Sequence, residues 1–344
     1  MAAYTTVNDA GSFYNTILYT GTGSAGQAQT GVGFAPDWVW MKARNTTQAY
    51  GVFDTVRGVD NILYTNNDSG EAADANSLTA FGSDGFTVGS SGKTGASASN
   101  YAAWNWMAGT TTGLSGGDIT PSAYSINTTS GFGIYKYTGN GSSTQTIAHG
   151  LGDVPAMMII KGTGAYSWIV YHKAIGNTKK LILNTDVAPA TDANVWQDTT
   201  PTSTVFTLGN SSEVNNNTSG YIAYVFAEKQ GYSKMGSYTG NSNADGTFVY
   251  TGFRPAFVLI KGDSGINWNI LDTQRPSYNP ADPPLWPNSN VGQVDPYPID
   301  ILSNGFKART TSSQNNASGS SPYSYTAFAE SPFVNSSGVP TNAR

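Results

Sequence analysis

Cysteine is missing from all 344 residues, which excludes disulfides, thiolate metal sites and a cysteine nucleophile. Charge is scarce as well. Asp, Glu, Lys and Arg make up 11% of the chain against about a quarter in an average domain, and glutamate occurs only at Glu71, Glu213, Glu228 and Glu330. Without Glu and Lys to fill exposed helical faces, extensive helix is not expected. A formal net charge of -5 and no Lys/Arg cluster leave no electrostatic footprint for a phosphate backbone, so nucleic acid is not an expected partner. No apolar run approaches the roughly 18 residues needed to cross a bilayer, so membrane insertion is not expected. The start, MAAYTTVNDAGSF, has no cationic stretch followed by an apolar one, so any work outside a cell is expected to follow release by lysis.

What is abundant points to strands and turns. Tyr, Phe, Trp, Val, Ile and Thr fit a pleated, half-buried surface. Gly, Asn, Asp and Ser punctuate short apolar segments, as in Ser83-Asp84-Gly85 and Ser303-Asn304-Gly305, and Asp-Gly and Asn-Gly supply the positive φ of tight hairpins. The expected fold class is all-β.

Internal repetition organises the chain. Tyr19-Thr20-Gly21, Tyr137-Thr138-Gly139 and Tyr238-Thr239-Gly240 each close an apolar or alternating segment. Some 14 to 15 residues later come Gly33-Phe34-Ala35-Pro36, Gly152-Asp153-Val154-Pro155 and Gly252-Phe253-Arg254-Pro255. Each proline leads into an apolar run ending in lysine, at Lys42, Lys161 and Lys261. Then follow Tyr50 to Asp54, Trp168 to His172 and Trp268 to Asp272, and each unit ends on a tyrosine-led strand from Tyr101, Tyr221 or Tyr323. The expectation is three tandem, diverged β-sandwich-like repeats of about 100 residues, at 1–117, 118–230 and 231–344. Pro36, Pro155 and Pro255 should precede strands at equivalent points, since proline cannot donate to a central ladder. The runs after them do not alternate and should be covered on both faces, with Lys42, Lys161 and Lys261 marking where they emerge into solvent.

The run GYSKMGSYTGNSNADGTFVYTGFRPAFVLIKGD, the segment ILSNGFKAR and the ending AFAESPFVNSSGVPTNAR resemble an uncharacterised domain family of tailed phages, especially marine ones. PDWVWMKARN, FDTVRG, SDGFTVG and YAAWNW extend the resemblance to the first unit. It implies a virion structural protein, a tail fibre or other surface appendage assembled in the host cytoplasm, and no catalytic residues. Other virion proteins and a host surface glycan are the implied partners. By analogy with such appendages a homo-oligomer, a trimer foremost, is expected. A capsid head decoration or knob protein is the alternative, favoured by a chain short for a fibre and without heptads. A glycan depolymerase is the second.

Enzymatic sites fare poorly. His172 stands where the other units carry Asp54 and Asp272, His149 has no histidine counterpart, and no GxSxG elbow accompanies either. Glu228 and Glu330, the suggestive acid pair for glycoside cleavage, are equivalents of each other after Phe-Ala, which argues for a shared structural task. The loop Asn66 to Asn76 alternates oxygen ligands but lacks the terminal glutamate of a calcium loop, so turn chemistry is expected and no metal or cofactor. Trp38, Trp40, Trp168 and Trp268 have apolar siblings and belong to the core. Trp196, Tyr278 and Tyr297 stand in polar or proline-rich stretches without such siblings, and are the expected ligand-binding aromatics.

Overall fold

The computed structural model describes residues 4–276, 278–293, 296–319 and 322–341. It is an all-β protein of several antiparallel sheets. Helix among the described residues is limited to a 3-10 turn at Ala10–Ser12 and single α turns at Ala193–Trp196 and Ser212–Asn215.

Three groups of four strands carry the architecture. In the first sheet the order is Tyr14–Thr20, Asn100–Trp106, Trp38–Ala43, Gly51–Asp54. The second repeats that order with Phe132–Thr138, Gly220–Ala227, Pro155–Gly162 and Trp168–His172, and carries further strands at both edges. The third runs Ser233–Thr239, Pro322–Pro332, Phe253–Gly262, Asn269–Asp272. In each, the strand latest in sequence is inserted beside the proline-led strand, so every ladder closes only after a long excursion of chain. Register agrees from sheet to sheet: Trp38 lies opposite Asp54, Met157 opposite His172 and Phe257 opposite Asp272.

Side chains alternate across a strand, and here both faces are covered. Trp38 and Trp40, Met157 and Ile159, and Phe257 and Leu259 all point into one central core. On the opposite face Val39 and Met41 pack under the small sheet formed by Gln27–Thr30, Gly85–Val88 and Leu78–Gly82. Met158 and Ile160 likewise pack under Gln145–Ala148 and Val205–Leu208. That double burial explains why these runs are apolar throughout.

The central core joins the three sheets. Trp106, Phe226 and Phe328 face Trp38, Met157 and Phe257 across their ladders. They meet as a triangle of rings, with centroids 6.4 Å (Trp106–Phe226), 5.5 Å (Trp106–Phe328) and 5.5 Å (Phe226–Phe328) apart. Aromatic pairs at such spacings add about 0.5–1.5 kcal/mol each beyond their buried area. Around the triangle the contacts run one way. Trp38 stacks on Tyr224 at 4.6 Å, the Thr326 hydroxyl donates to the Met157 sulfur at 3.1 Å, and Phe257 meets Trp106 edge-on at 5.6 Å. First meets second, second meets third and third meets first.

At the other end of each sheet two tyrosines stack: Tyr19 on Tyr101, Tyr137 on Tyr221, Tyr238 on Tyr323, at 5.0, 5.2 and 5.0 Å. Their hydroxyls donate to carbonyls of the loop before the later strand, Tyr137 to Val214 and Tyr221 to Ser212, for example. The glycine after each leading tyrosine is explained by this loop. A Cβ on Gly21, Gly139 or Gly240 would stand 2.2, 2.4 or 2.3 Å from a backbone oxygen.

Gly33, Gly152 and Gly252 all hold positive φ, at 88, 76 and 86°. Pro36 lies two residues ahead of its strand, Pro155 opens its strand, and Pro255 is the third residue of Phe253–Gly262, where the register shifts on either side of it. The lysines correct the sequence reading. Lys42, Lys161 and Lys261 do not emerge into solvent but are at most 1% exposed. Each ammonium turns back onto carbonyl oxygens: Lys161 onto Asp68, Gly162 and Gly164, and Lys261 onto Asp186, Ser264 and Ile266. Asp68 and Asp186 belong to the loop of the preceding sheet, so these lysines bridge neighbouring sheets.

Candidate functional site

The groups with chemical potential are mostly inside. The Asp54 carboxylate takes the Arg57 Nε at 2.6 Å and the Tyr224 hydroxyl at 2.7 Å, and Arg57 also reaches Glu71 at 2.9 Å. Burial would lower the Arg57 guanidinium, but Asp54, Tyr224 and Glu71 outweigh it and hold it above its ordinary value. Asp272 repeats the arrangement, with Arg275 at 2.6 Å and the Trp104 indole donating at 3.0 Å. Sequence reasoning noted Asp54 and Asp272 but missed their arginines, although Asp-Thr-x-Arg is legible in both places.

At the third such position His172 accepts the Ala174 amide on Nδ1, so Nε2 carries the proton and donates to the Tyr325 carbonyl at 3.1 Å. Burial pushes its pKa down to about 4. His149 is held in the same tautomer between the Leu151 amide and the Thr202 carbonyl, and burial lowers it too. Both rings are neutral at pH 7 and sealed from solvent, which suits a structural tie and not proton transfer to a substrate. Glu228 pairs with Lys173 at 2.5 Å and accepts the Met235 amide, and Glu330 pairs with Arg254 at 2.8 Å. In the Asn66 to Asn76 loop, Asn66 and Asn67 cap backbone amides while Glu71 holds Arg57. No group of three or more His, Asp or Glu side chains placed to hold a metal occurs among the described residues.

Trp196, expected to offer its ring to a ligand, is 1% exposed. It ends the helical turn Ala193–Trp196, donates its indole N–H to the Lys179 carbonyl and packs edge-on against Tyr171 at 5.8 Å. One helical turn rotates Val195 and Trp196 inward while their polar neighbours face out, a switch that local polarity conceals. Tyr297 is half-buried, with its ring stacked on Trp286 at 6.2 Å and its carbonyl bonded to Asn315. Of these three aromatics, Tyr278 alone presents its ring to solvent, at 85% exposure.

Tyr278 borders a depression of about 220 Å³ that shares Arg254, Asn279 and Ile301 with a larger one of about 500 Å³. The Arg254–Glu330 pair and Asn304 line the larger one. Asn279 makes its wall rigid, donating to the Ile301 carbonyl at 2.8 Å and accepting the Ile301 amide at 2.9 Å. An exposed ring beside a guanidinium and an amide, continuous with a hollow lined by a carboxylate, is a surface for stacking and hydrogen bonding.

Fold and site together define an all-β protein in which Asp54, Asp272, His172, Lys161 and Lys261 tie neighbouring sheets together. More particularly, the chain belongs to the family described as Domain of unknown function (DUF7483), whose pattern matches residues 9–332. No curated protein and no solved structure shows a significant match.

Proposed function

We propose that this is a non-enzymatic structural protein of a phage particle, built from three diverged copies of one β unit and meeting host glycan through the groove beside Tyr278. The observation that carries the repeat reading is the cyclic closure: equivalent positions (Asp54, His172 and Asp272) each contact the closing strand of the next sheet. The consumption of His149, His172, Asp54 and Asp272 in structural hydrogen bonds supports a binding part over a depolymerase. The phage assignment rests on the sequence resemblance.

Three sheets around one axis within a single polypeptide supply a trimer-like body without a second chain, which favours a monomer over the homotrimer inferred by analogy. The same closure gathers the three sheets on one shared core, which suits a capsid knob as the second reading. A density map of the intact particle tests the location: density for this fold on tail or head supports the virion reading, and its absence from purified particles refutes it. Incubation with host capsule or lipopolysaccharide should release no new reducing ends.

A further inference from the structure

A separate depression, of about 410 Å³, lies where the segment after Ala227 leads into the strand Ser233–Thr239. Its lining includes Tyr4, Tyr250, Lys234, Glu228 and Gln230. Tyr4 and Tyr250 are 41% and 47% exposed, large values for tyrosine in a chain that buries so many. The two phenols line the same hollow, and Tyr4 beside it, with partial burial, pushes the Tyr250 pKa up. The Lys234 ammonium stands 5.2 Å from the Tyr250 ring centroid, close enough to fix the ring by cation–π attraction. Two residues along the same strand face, Phe248 is 44% exposed. The cluster thus presents oriented aromatic faces to solvent with one cation, one anion and an amide alongside.

Two occupants compete for such a place. The strand Phe248–Tyr250 is the edge of its sheet, and an added peptide strand is the first occupant to weigh there. It is only three residues long, and Lys234 already donates to the Tyr250 carbonyl at 3.2 Å, the kind of edge block that prevents pairing. The remaining chemistry is flat apolar faces ringed by hydrogen-bonding groups of balanced charge, which matches a sugar ring with its C–H face and its hydroxyls.

We propose that the Tyr4–Tyr250–Lys234 depression is a carbohydrate subsite for an uncharged pyranose, with the Tyr250 ring as its stacking platform. The proposal rests on the binding half of the function given above, not on the location in a particle, and its site is distinct from the Tyr278 groove. The test applies the full-length protein to a printed array of neutral and acidic bacterial glycans, then titrates the best neutral binder. Tyr250→Ala is expected to weaken binding at least tenfold with an unchanged melting temperature, while Tyr250→Phe, which keeps the ring, stays within about threefold of the parent. Retention of acidic glycans alone, no retention at all, or full affinity in Tyr250→Ala overturns the subsite. Loss of binding in Tyr278→Ala with none in Tyr250→Ala overturns it too and leaves the Tyr278 groove standing; the reverse pattern supports the subsite and removes the groove.

Discussion

Tyr224 donates its hydroxyl proton to the Asp54 carboxylate at 2.7 Å across 170 positions of sequence, at a place where neither group meets solvent. The bond fastens the second sheet to the first at the point where Asp54 also holds Arg57. Removing the donor by Tyr224→Phe is expected to cost about 1.5–3 kcal/mol, the range for a hydrogen bond to a charged group. Asp54→Ala should cost about 3–5 kcal/mol, because it leaves the Arg57 guanidinium buried without its main counter-charge. Urea unfolding midpoints at constant slope measure both, and equal small effects would refute the role given to the pair.

The equivalence of His172 with Asp54 and Asp272 is open to a double-mutant cycle. His172→Asp alone buries a carboxylate without an arginine and should destabilise by about 3 kcal/mol or more. Adding Ile175→Arg places a guanidinium three residues on, as Arg57 and Arg275 are placed, and should recover more than half of the loss. A double variant no more stable than the single one would end the equivalence.

Acid should loosen the molecule through the same ring. The folded His172 pKa of about 4 lies below the ordinary value of about 6.5, so the unfolded chain takes up the proton first. The stability this contributes is complete above about pH 6.5 and is lost as the pH falls toward 4, a change on the order of 3 kcal/mol. In His172→Gln, chemical denaturation at pH 7 and pH 4 should show a correspondingly smaller difference than in the parent.

Trp196 and Tyr278 should separate cleanly. Trp196→Ala removes a packed ring and is expected to cost about 3–5 kcal/mol. Tyr278→Ala, at an 85% exposed position, should change stability by no more than about 0.5 kcal/mol. Thermal denaturation of the two variants decides this, and a stability loss at Tyr278 would make it a packing residue.

Much of the fold was legible because its signals are local. The glycines at 33, 152 and 252 mark positive φ, which a sequence announces by residue type. The unbroken apolar runs after the prolines announce burial on both faces. Lys161 and Lys261 misled because a lysine at a strand end ordinarily reaches water, and nothing nearby in sequence reveals that Asp68 and Asp186 carbonyls of a neighbouring loop wait for the ammonium. Trp196 misled because a single helical turn reversed the facing that its polar neighbours suggest. At the candidate site Tyr278 was found from its surroundings, whereas Arg254 and Asn279 were not, since their roles depend on Glu330 and Ile301 brought from far along the chain.

From composition, turn residues and apolar periodicity alone follow the all-β class, the absence of thiol chemistry and the succession of apolar segments along the chain, since these depend on each residue's own backbone preferences and hydrophobicity. The meeting of Trp106, Phe226 and Phe328 at one axis, the choice of Tyr224 and Trp104 as donors to Asp54 and Asp272, and the sealing of both histidines were decided only by tertiary structure. Such contacts join residues from 53 positions apart at His149 to 170 or more between sheets, and their identity depends on how the sheets close, which no local pattern encodes.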